Sequence, residues 1–172
     1  MQNVEFKAEL RDLQLARSIC LALGAVPVAI LEQTDTYYRL PAGRLKKRQV
    51  PGEPTQVIFY HRADRTLPKI SNYTIYTESH AMLLYGTHQL EPWVVVRKSR
   101  ELLMLGAMRV HLDRVDHLGA FLEIEAVVSP TNHVGRCHDA IRQLRSELSH
   151  CLGEPIAVSY SDLMAQRQES TP

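Results

Sequence analysis

Acidic and basic side chains recur at every second position along several short stretches of this chain. The stretches are Glu5-Phe6-Lys7, Arg44-Leu45-Lys46-Lys47-Arg48, Lys98-Ser99-Arg100, Arg109-Val110-His111-Leu112-Asp113 and Glu123-Ile124-Glu125. In a β-strand, residues i and i+2 point to the same face. Most of the spacers are apolar, so Leu45, Val110, Leu112 and Ile124 fall on the opposite face. Each strand would turn its apolar side to a hydrophobic shell and its charged side to a shared space. Bases and carboxylates gathered on one wall suit a metal-bound polyphosphate. Lys and Arg grip phosphate oxygens, and carboxylate oxygens hold a hard divalent cation.

The elements that must position these residues follow from the local pattern. Residues 3–10 read as a strand. Residues 11–24 read as a helix, with Asp12 near the N-cap, an apolar stripe of Leu13, Ala16, Ile19, Cys20 and Leu23, and Gly24 as the stop. Residues 28–39 are extended, favoured by Thr34, Thr36, Tyr37 and Tyr38. Pro41-Ala42-Gly43 is a turn. Residues 44–50 and 56–62 pair across Pro51-Gly52-Glu53-Pro54, residues 64–68 form a loop, and 70–77 is a further strand. A short helix is expected over 79–89, followed by strands over 92–104, 107–115 and 120–129. Ile141, Leu144 and Leu148 mark a helix over 134–152 that ends at Gly153, and the polar tail 166–172 is expected to be frayed. About eight strands with inserted helices suit an α+β fold built on a closed antiparallel barrel better than an open parallel sheet.

The chain has 172 residues and no internal repeat, low-complexity run or linker, which favours one domain with a sizeable core. Its formal net charge is +1, so no overall field draws it to nucleic acid or an anionic membrane. Cys20, Cys137 and Cys151 are odd in number, contain no CxxC pair and fall in helical stretches. They read as reduced core residues of a cytoplasmic protein. The first residues read as strand rather than as a leader, and no apolar run approaches a membrane span, so neither secretion nor insertion is expected. The histidines form no ligand cluster, with His111 read as a wall residue. No Walker A loop or G-x-S-x-G elbow occurs, so phosphate binding would come from side chains.

Taken in order, these segments resemble the CYTH proteins, the triphosphate tunnel enzymes that include class IV adenylate cyclases and thiamine triphosphatases. The likeness runs from Val4 to about Leu163. It is carried by Asn-Val-Glu-Phe-Lys at 3–7, Gln-Thr-Asp-Thr-Tyr-Tyr at 33–38, Gly-Arg-Leu-Lys-Lys-Arg at 43–48 and Ile-Phe-Tyr-His-Arg at 58–62. Further support comes from Pro-Lys-Ile-Ser-Asn-Tyr at 68–73, Val-Arg-Lys-Ser-Arg-Glu at 96–101 and Arg-Val-His-Leu-Asp at 109–113. Leu-Gly-Ala-Phe-Leu-Glu-Ile-Glu at 118–125 and Ser-Tyr-Ser-Asp-Leu at 159–163 complete it. The bacterial class IV adenylate cyclase-like branch is the nearest likeness. It implies a single domain over 1–165, an eight-stranded antiparallel barrel with helices packed outside, and a triphosphate bound in the tunnel through Mg²⁺ or Mn²⁺.

Carried onto this chain, the resemblance implies a metal site of Glu5, Asp113, Glu123 and Glu125, which with Lys7 form the catalytic set. Lys7, Arg44, Lys46, Arg48, Arg62, Lys69, Lys98, Arg100 and Arg109 are the implied phosphate grips. Register sets which bases face inward: Lys98 and Arg100 in, Arg97 out, and Lys47 out. The plainer readings are a solvated face for Glu123 and Glu125, a cross-strand ion pair for Asp113, and edge protection for the basic strands. Phe121 and Val127 continue the Glu123–Glu125 face, which argues against open solvent there. The family motif opens with Glu where this chain has Asn3, so one anionic metal ligand is absent. Tyr160 belongs to a segment that packs near the tunnel mouth in the family; site shaping and core packing are both open to it.

Three activities are compatible with these residues. Cyclisation of ATP to cyclic AMP and pyrophosphate ranks first because the nearest branch carries that activity. Hydrolysis of inorganic, thiamine or nucleoside triphosphate follows. A non-catalytic polyphosphate- or nucleotide-binding protein is the third, favoured by Asn3. A monomer or homodimer is expected, and the sequence shows no apolar stripe that would argue for the dimer.

Overall fold

The computed structural model describes residues 1–170. Strands β1 (Gln2–Leu10), β2 (Val26–Arg39), β3 (Arg44–Gln49), β4 (Gln56–Arg62), β5 (Lys69–Thr77), β6 (Pro92–Leu105), β7 (Met108–Val115) and β8 (Gly119–Val127) all pair antiparallel. Their order is β5-β4-β3-β2-β6-β7-β8-β1, and β1 pairs again with β5, which closes the barrel. The expected α+β barrel is therefore the fold.

Closure is partial along β1. Residues Gln2, Asn3, Val4 and Glu5 pair with Asn72, Ser71, Ile70 and Lys69 of β5. Farther on, Ala8 and Leu10 take a short ninth strand, β9 (Leu152–Pro155), instead. Strand β2 is also uneven. Only Thr34 to Arg39 pair with β3, so residues 26–33 keep one edge unpaired. Val26, Val28 and Ile30 are exposed at every second position there, an apolar stripe that the sequence did not announce.

The strand alternation runs opposite to that of a small protein with an oily interior. Outward residues Val4, Phe6, Ala8 and Leu10 of β1, with Leu103, Val110, Leu112, Leu122 and Ile124, form the main core. Helix α1 (Leu13–Ala22) covers them with Ala16 and Cys20, and α3 (Val134–Glu147) with Cys137, Ile141 and Leu144. Asp12 caps α1 as expected, its side chain accepting from Leu15 N–H. A cap of that kind stabilises a helix by about 0.5–2 kcal/mol. Helix α2 (Glu78–Tyr85) covers Tyr38, Leu45 and Val57 through Ala81. The Pro41-Ala42-Gly43 turn needs its glycine: φ is +74°, and a Cβ would sit 2.5 Å from the Phe59 ring.

Two stretches differ from expectation. Helix α3 stops at Glu147 and hands over to a 3-10 turn (Ser149–Cys151) and then β9. Helix α4 (Tyr160–Glu169) occupies the stretch that includes residues 166–169 of the expected frayed tail, while Thr171 and Pro172 lie outside the described residues. A capping box starts α4: Ser159 Oγ accepts from Asp162 N–H, and the Asp162 carboxylate accepts from Ser159 N–H. That pattern, Ser-x-x-Asp, was readable in advance. Helix α4 places Tyr160 and Met164 in a second apolar cluster with inward-facing Tyr37, Val94, Val96, Val115 and Phe121, which fills one end of the barrel. Among the described residues, no helix is long and apolar enough to cross a membrane.

Candidate active site in the barrel

Because the outer faces take the apolar residues, the barrel interior takes the charged ones. It holds a cavity of about 360 Å³. Its wall includes Lys7, Lys46, Arg48, Arg62, Lys98, Arg100 and Arg109 among the cations, and Glu5, Glu123 and Glu125 among the carboxylates. These residues come from distant parts of the chain, brought level by strand register. Glu5 stands opposite Glu125 and Lys7 opposite Glu123 across β1 and β8; Arg109 and His111 stand opposite the same two glutamates across β7.

The basic wall is organised around Asp35, which has no exposed surface. Arg48 grips it with Nε and Nη2, both at 2.7 Å. Lys46 Nζ donates to it at 3.1 Å and Lys98 Nζ at 3.2 Å. Burial alone would push the Asp35 carboxyl up, but Lys46, Lys98 and Arg48 outweigh it and hold the group well below the usual carboxylate range. For the lysines burial prevails. It pushes Lys98 down to about 7 and Lys46 down to about 8, against the opposing pull of Asp35. One carboxylate serves three cations, so the wall keeps surplus positive charge for an arriving anion.

Arg100 links this wall to the acidic one. Its guanidinium donates to both Asp113 oxygens, at 2.7 and 2.6 Å, and to Glu123 Oε2 at 2.7 Å. Tyr160 OH donates to Asp113 Oδ2 at 2.7 Å. Lys7 Nζ lies 3.9 Å from the centre of the Tyr160 ring. Burial works against ionisation of Asp113 and Glu123, but Arg100 brings Asp113 down to about 2, and Lys7 with Arg100 holds Glu123 well below its ordinary value. Both are ionised at neutral pH.

The acidic wall holds Glu123, Glu125 and His111. A ring nitrogen of His111 and one oxygen from each glutamate lie within 4.8 Å of one another. Burial, reinforced by Arg100, pushes His111 down to about 4, which leaves the imidazole neutral. Arg109 pairs with Glu125 at 3.3 Å and donates to Tyr73 OH at 3.1 Å. Glu5 pairs with Arg62. Five buried polar atoms on residues of this cavity have no hydrogen-bond partner: Asn3 Oδ1, Gln33 Oε1, Arg62 Nε, Arg109 Nε and His111 Nδ1. An unmade bond at a buried polar atom costs about 1–3 kcal/mol. Such a cost is tolerable where a ligand later supplies the partner.

Most residues picked from the sequence meet here, and three do not line the cavity. Asp113 is fully buried behind it, with its oxygens taken by Arg100 and Tyr160. Arg44 lies off the wall, paired with Asp64 at 2.7 Å and Asp162 at 3.4 Å. Lys69 is buried and donates to the backbone carbonyls of Arg65 and Ala157. Lys47 points outward, 3.6 Å from Glu78, and Arg97 is exposed, as the register required. Sequence reasoning passed over Asp35 and Gln33. Their signal was present: Gln33, Asp35 and Tyr37 continue the same every-second-residue pattern. Tyr160 proves to do both jobs open to it, packing on Phe121 and bonding Asp113.

The cavity lining also includes the apolar side chains of Leu31, Val50, Pro54, Ile58, Ile75 and Leu102. Charged and apolar lining together can hold a molecule with an anionic part and an organic part.

No curated protein sequence matches the chain. Solved structures do share its fold. A candidate adenylate cyclase from Vibrio parahaemolyticus superposes with a TM-score of 0.74 at 18% identity, over 95% of this chain and 97% of that one. The PH1012 protein of Pyrococcus horikoshii gives 0.72 at 22% identity, over 94% and 99%. The Pct1 RNA triphosphatase of Schizosaccharomyces pombe gives 0.50 at 10% identity, over 98% and 83%. At these identities the likeness speaks for the fold alone. The CYTH domain model matches residues 1–160, the whole barrel and the start of α4, and the chain belongs to the CYTH family.

Proposed function

We propose that this protein is a metal-dependent enzyme acting on an organic triphosphate held inside the barrel, most like an adenylate cyclase that converts ATP to cyclic AMP and pyrophosphate. One observation carries the reading. A wall of cations with surplus charge, built on Asp35, shares a single cavity with a carboxylate pair and with several apolar side chains. The first suits phosphate oxygens, the second a divalent cation, and the third a base or other organic group. The apolar part of the lining favours an organic triphosphate over the inorganic one.

The residues present fit a divalent cation. Glu123 and Glu125 offer carboxylate oxygens as hard donors, and the unpartnered Asn3 and His111 atoms belong to the same cavity. Asn3 brings a neutral oxygen in place of a charged one. Mg²⁺ or Mn²⁺ held there would supply positive charge to the phosphate oxygens beside the point of attack. Glu5, kept by Arg62, borders the same wall, whereas Asp113 serves by fixing Arg100.

The chain's own residues then account for binding and orientation. Lys46, Arg48 and Lys98 line one wall and Lys7 and Arg100 connect to the other, so a triphosphate would be neutralised along its length. In cyclisation the ribose 3′ hydroxyl oxygen bonds to the α-phosphorus, its proton passes to water or to the departing pyrophosphate, and the bond from phosphorus to the bridging oxygen breaks. Pyrophosphate carries away the electron pair, and the nearby cations stabilise that growing charge. Lys98, poised near neutrality by burial, would gain its proton fully as phosphate charge arrives.

The test is product analysis. The purified protein is incubated with ATP, inorganic triphosphate and thiamine triphosphate, each with Mg²⁺ and then Mn²⁺, and products are separated by chromatography. Cyclic AMP with pyrophosphate is the expected result. Orthophosphate without a cyclic product would replace cyclisation by hydrolysis. No turnover of any substrate would overturn the enzyme reading in favour of a binding protein, and Asn3→Glu would then be expected to restore activity.

A further inference from the structure

His111 contributes only an unpartnered atom to the arrangement just described, yet its position is unusual. It sits in the middle of β7, opposite Glu123 on β8, with its side chain on the cavity wall. The residue is 5% exposed, and its Nδ1 is buried with no hydrogen-bond partner. A neutral imidazole in a core ordinarily donates from one nitrogen and accepts at the other. Here one nitrogen is left for something the chain does not supply.

Its neighbours indicate what that is. One ring nitrogen and single oxygens of Glu123 and Glu125 lie within 4.8 Å of one another. Donors about 2.1 Å from a shared ion stand up to about 4.2 Å apart, so small side-chain rotations would bring all three onto one ion. The other nearby carboxylate, Asp113, is not free for that duty, because Arg100 and Tyr160 hold its oxygens.

We propose that His111 is a third protein ligand of the divalent ion held by Glu123 and Glu125, and that its imidazole makes this centre select Mn²⁺ over Mg²⁺. The inference rests on the reading that a divalent ion sits at the tunnel carboxylates. Mg²⁺ is a hard ion that takes oxygen donors and keeps its waters. Nitrogen donors bind first-row transition ions more strongly, so exchanging a carboxylate or water for imidazole shifts the balance toward Mn²⁺.

The test reads the metal rather than the turnover. The full-length protein is loaded with Mn²⁺ and studied by pulsed electron paramagnetic resonance, once with ordinary and once with ¹⁵N-labelled histidine. Nitrogen modulation that changes with the label is the expected result. His111→Gln should lose that modulation while still binding Mn²⁺. By calorimetry it should also lose at least about fivefold of the wild-type preference for Mn²⁺ over Mg²⁺. Mn²⁺ bound without histidine modulation in the wild type would overturn the assignment and leave the carboxylate centre standing. Modulation that persists in a folded His111→Gln would overturn it equally, by assigning the ligand to another histidine. No binding of Mn²⁺ by the wild type, with or without inorganic triphosphate, would overturn the carboxylate centre as well.

Discussion

Replacing Asp35 by Asn keeps the side chain's size and removes the charge that Arg48, Lys46 and Lys98 share. Removing one partner from a buried ion pair costs about 3–5 kcal/mol, because the remaining charge is left uncompensated. The cost should depend on pH. Asp35 raises the pKa of both lysines above the value burial alone would give, so its contribution through them is present while they are charged. That contribution fades as pH rises through about 7 for Lys98 and about 8 for Lys46. Arg48 stays charged throughout, so its share persists. At pH 6 the full loss is expected; at pH 9 it should be smaller by at least about 1.4 kcal/mol, one pKa unit on one lysine. Denaturant unfolding of wild type and variant, in phosphate-free buffer at both pH values, measures this. A loss of about 3 kcal/mol corresponds to roughly 6–12 °C in Tm for a chain of this size. Added triphosphate should stabilise the variant more than the wild type, since phosphate oxygens take over the missing charge. Equal losses at pH 6 and pH 9, or a variant within about 0.5 kcal/mol of wild type at pH 6, would refute the argument.

The same two lysines predict proton uptake when a triphosphate binds between pH 7 and 8.5. Calorimetry in buffers of different ionisation enthalpy reads it directly, and affinity should fall up to about tenfold per pH unit for each proton taken up; binding heats independent of the buffer would contradict the low lysine values. Glu123→Gln and Glu125→Gln should each abolish metal-dependent turnover with little change in circular dichroism, and undiminished turnover in both would remove them from the site. Lys47→Ala should change stability by less than about 0.5 kcal/mol and leave turnover unaltered, because its partner Glu78 is exposed and the cavity lies on the other face; a large loss of turnover would mean that the β3 register is shifted by one.

The barrel was legible because alternation survives in every strand that builds it. Leu45 between Arg44 and Lys46, or Ile124 between Glu123 and Glu125, states which face is inside. The same logic put Lys98 and Arg100 in and Arg97 out. It failed where facing inward is not the same as reaching the cavity. Arg44 and Lys69 sit at strand ends, where Asp64 and the carbonyls of Arg65 and Ala157 take their donors. Those partners lie in loops whose course no periodicity describes. Asp113 shares the inward face of β7 but is claimed by Arg100 on β6 and Tyr160 on α4, a contact between elements far apart in the chain. Asp35 was overlooked because its meaning comes from cations on two neighbouring strands, and its own segment reads only as good strand sequence. Strand β9 has four residues, too few for a period to show.

Strand β1 has a further consequence, in the time before the barrel exists. Its long partner is β8, with pairs running from Asn3 opposite Val127 to Glu9 opposite Phe121. At roughly 5–20 residues per second of synthesis, β1 waits on the order of ten seconds for that partner. Pairings so distant in sequence also form slowly once both strands are present. Throughout the delay Phe6, Ala8 and Leu10 have no partner strand, since β5 pairs only as far as Glu5, and such a strand is a template for aggregation. Glu5, Lys7 and Glu9 interrupt it at every second position. Opposed charges spaced in this way act as gatekeepers against wrong pairing. Glu5 and Lys7 would therefore serve the chain twice: first by keeping a nascent strand soluble, and later by lining the tunnel that the strand completes.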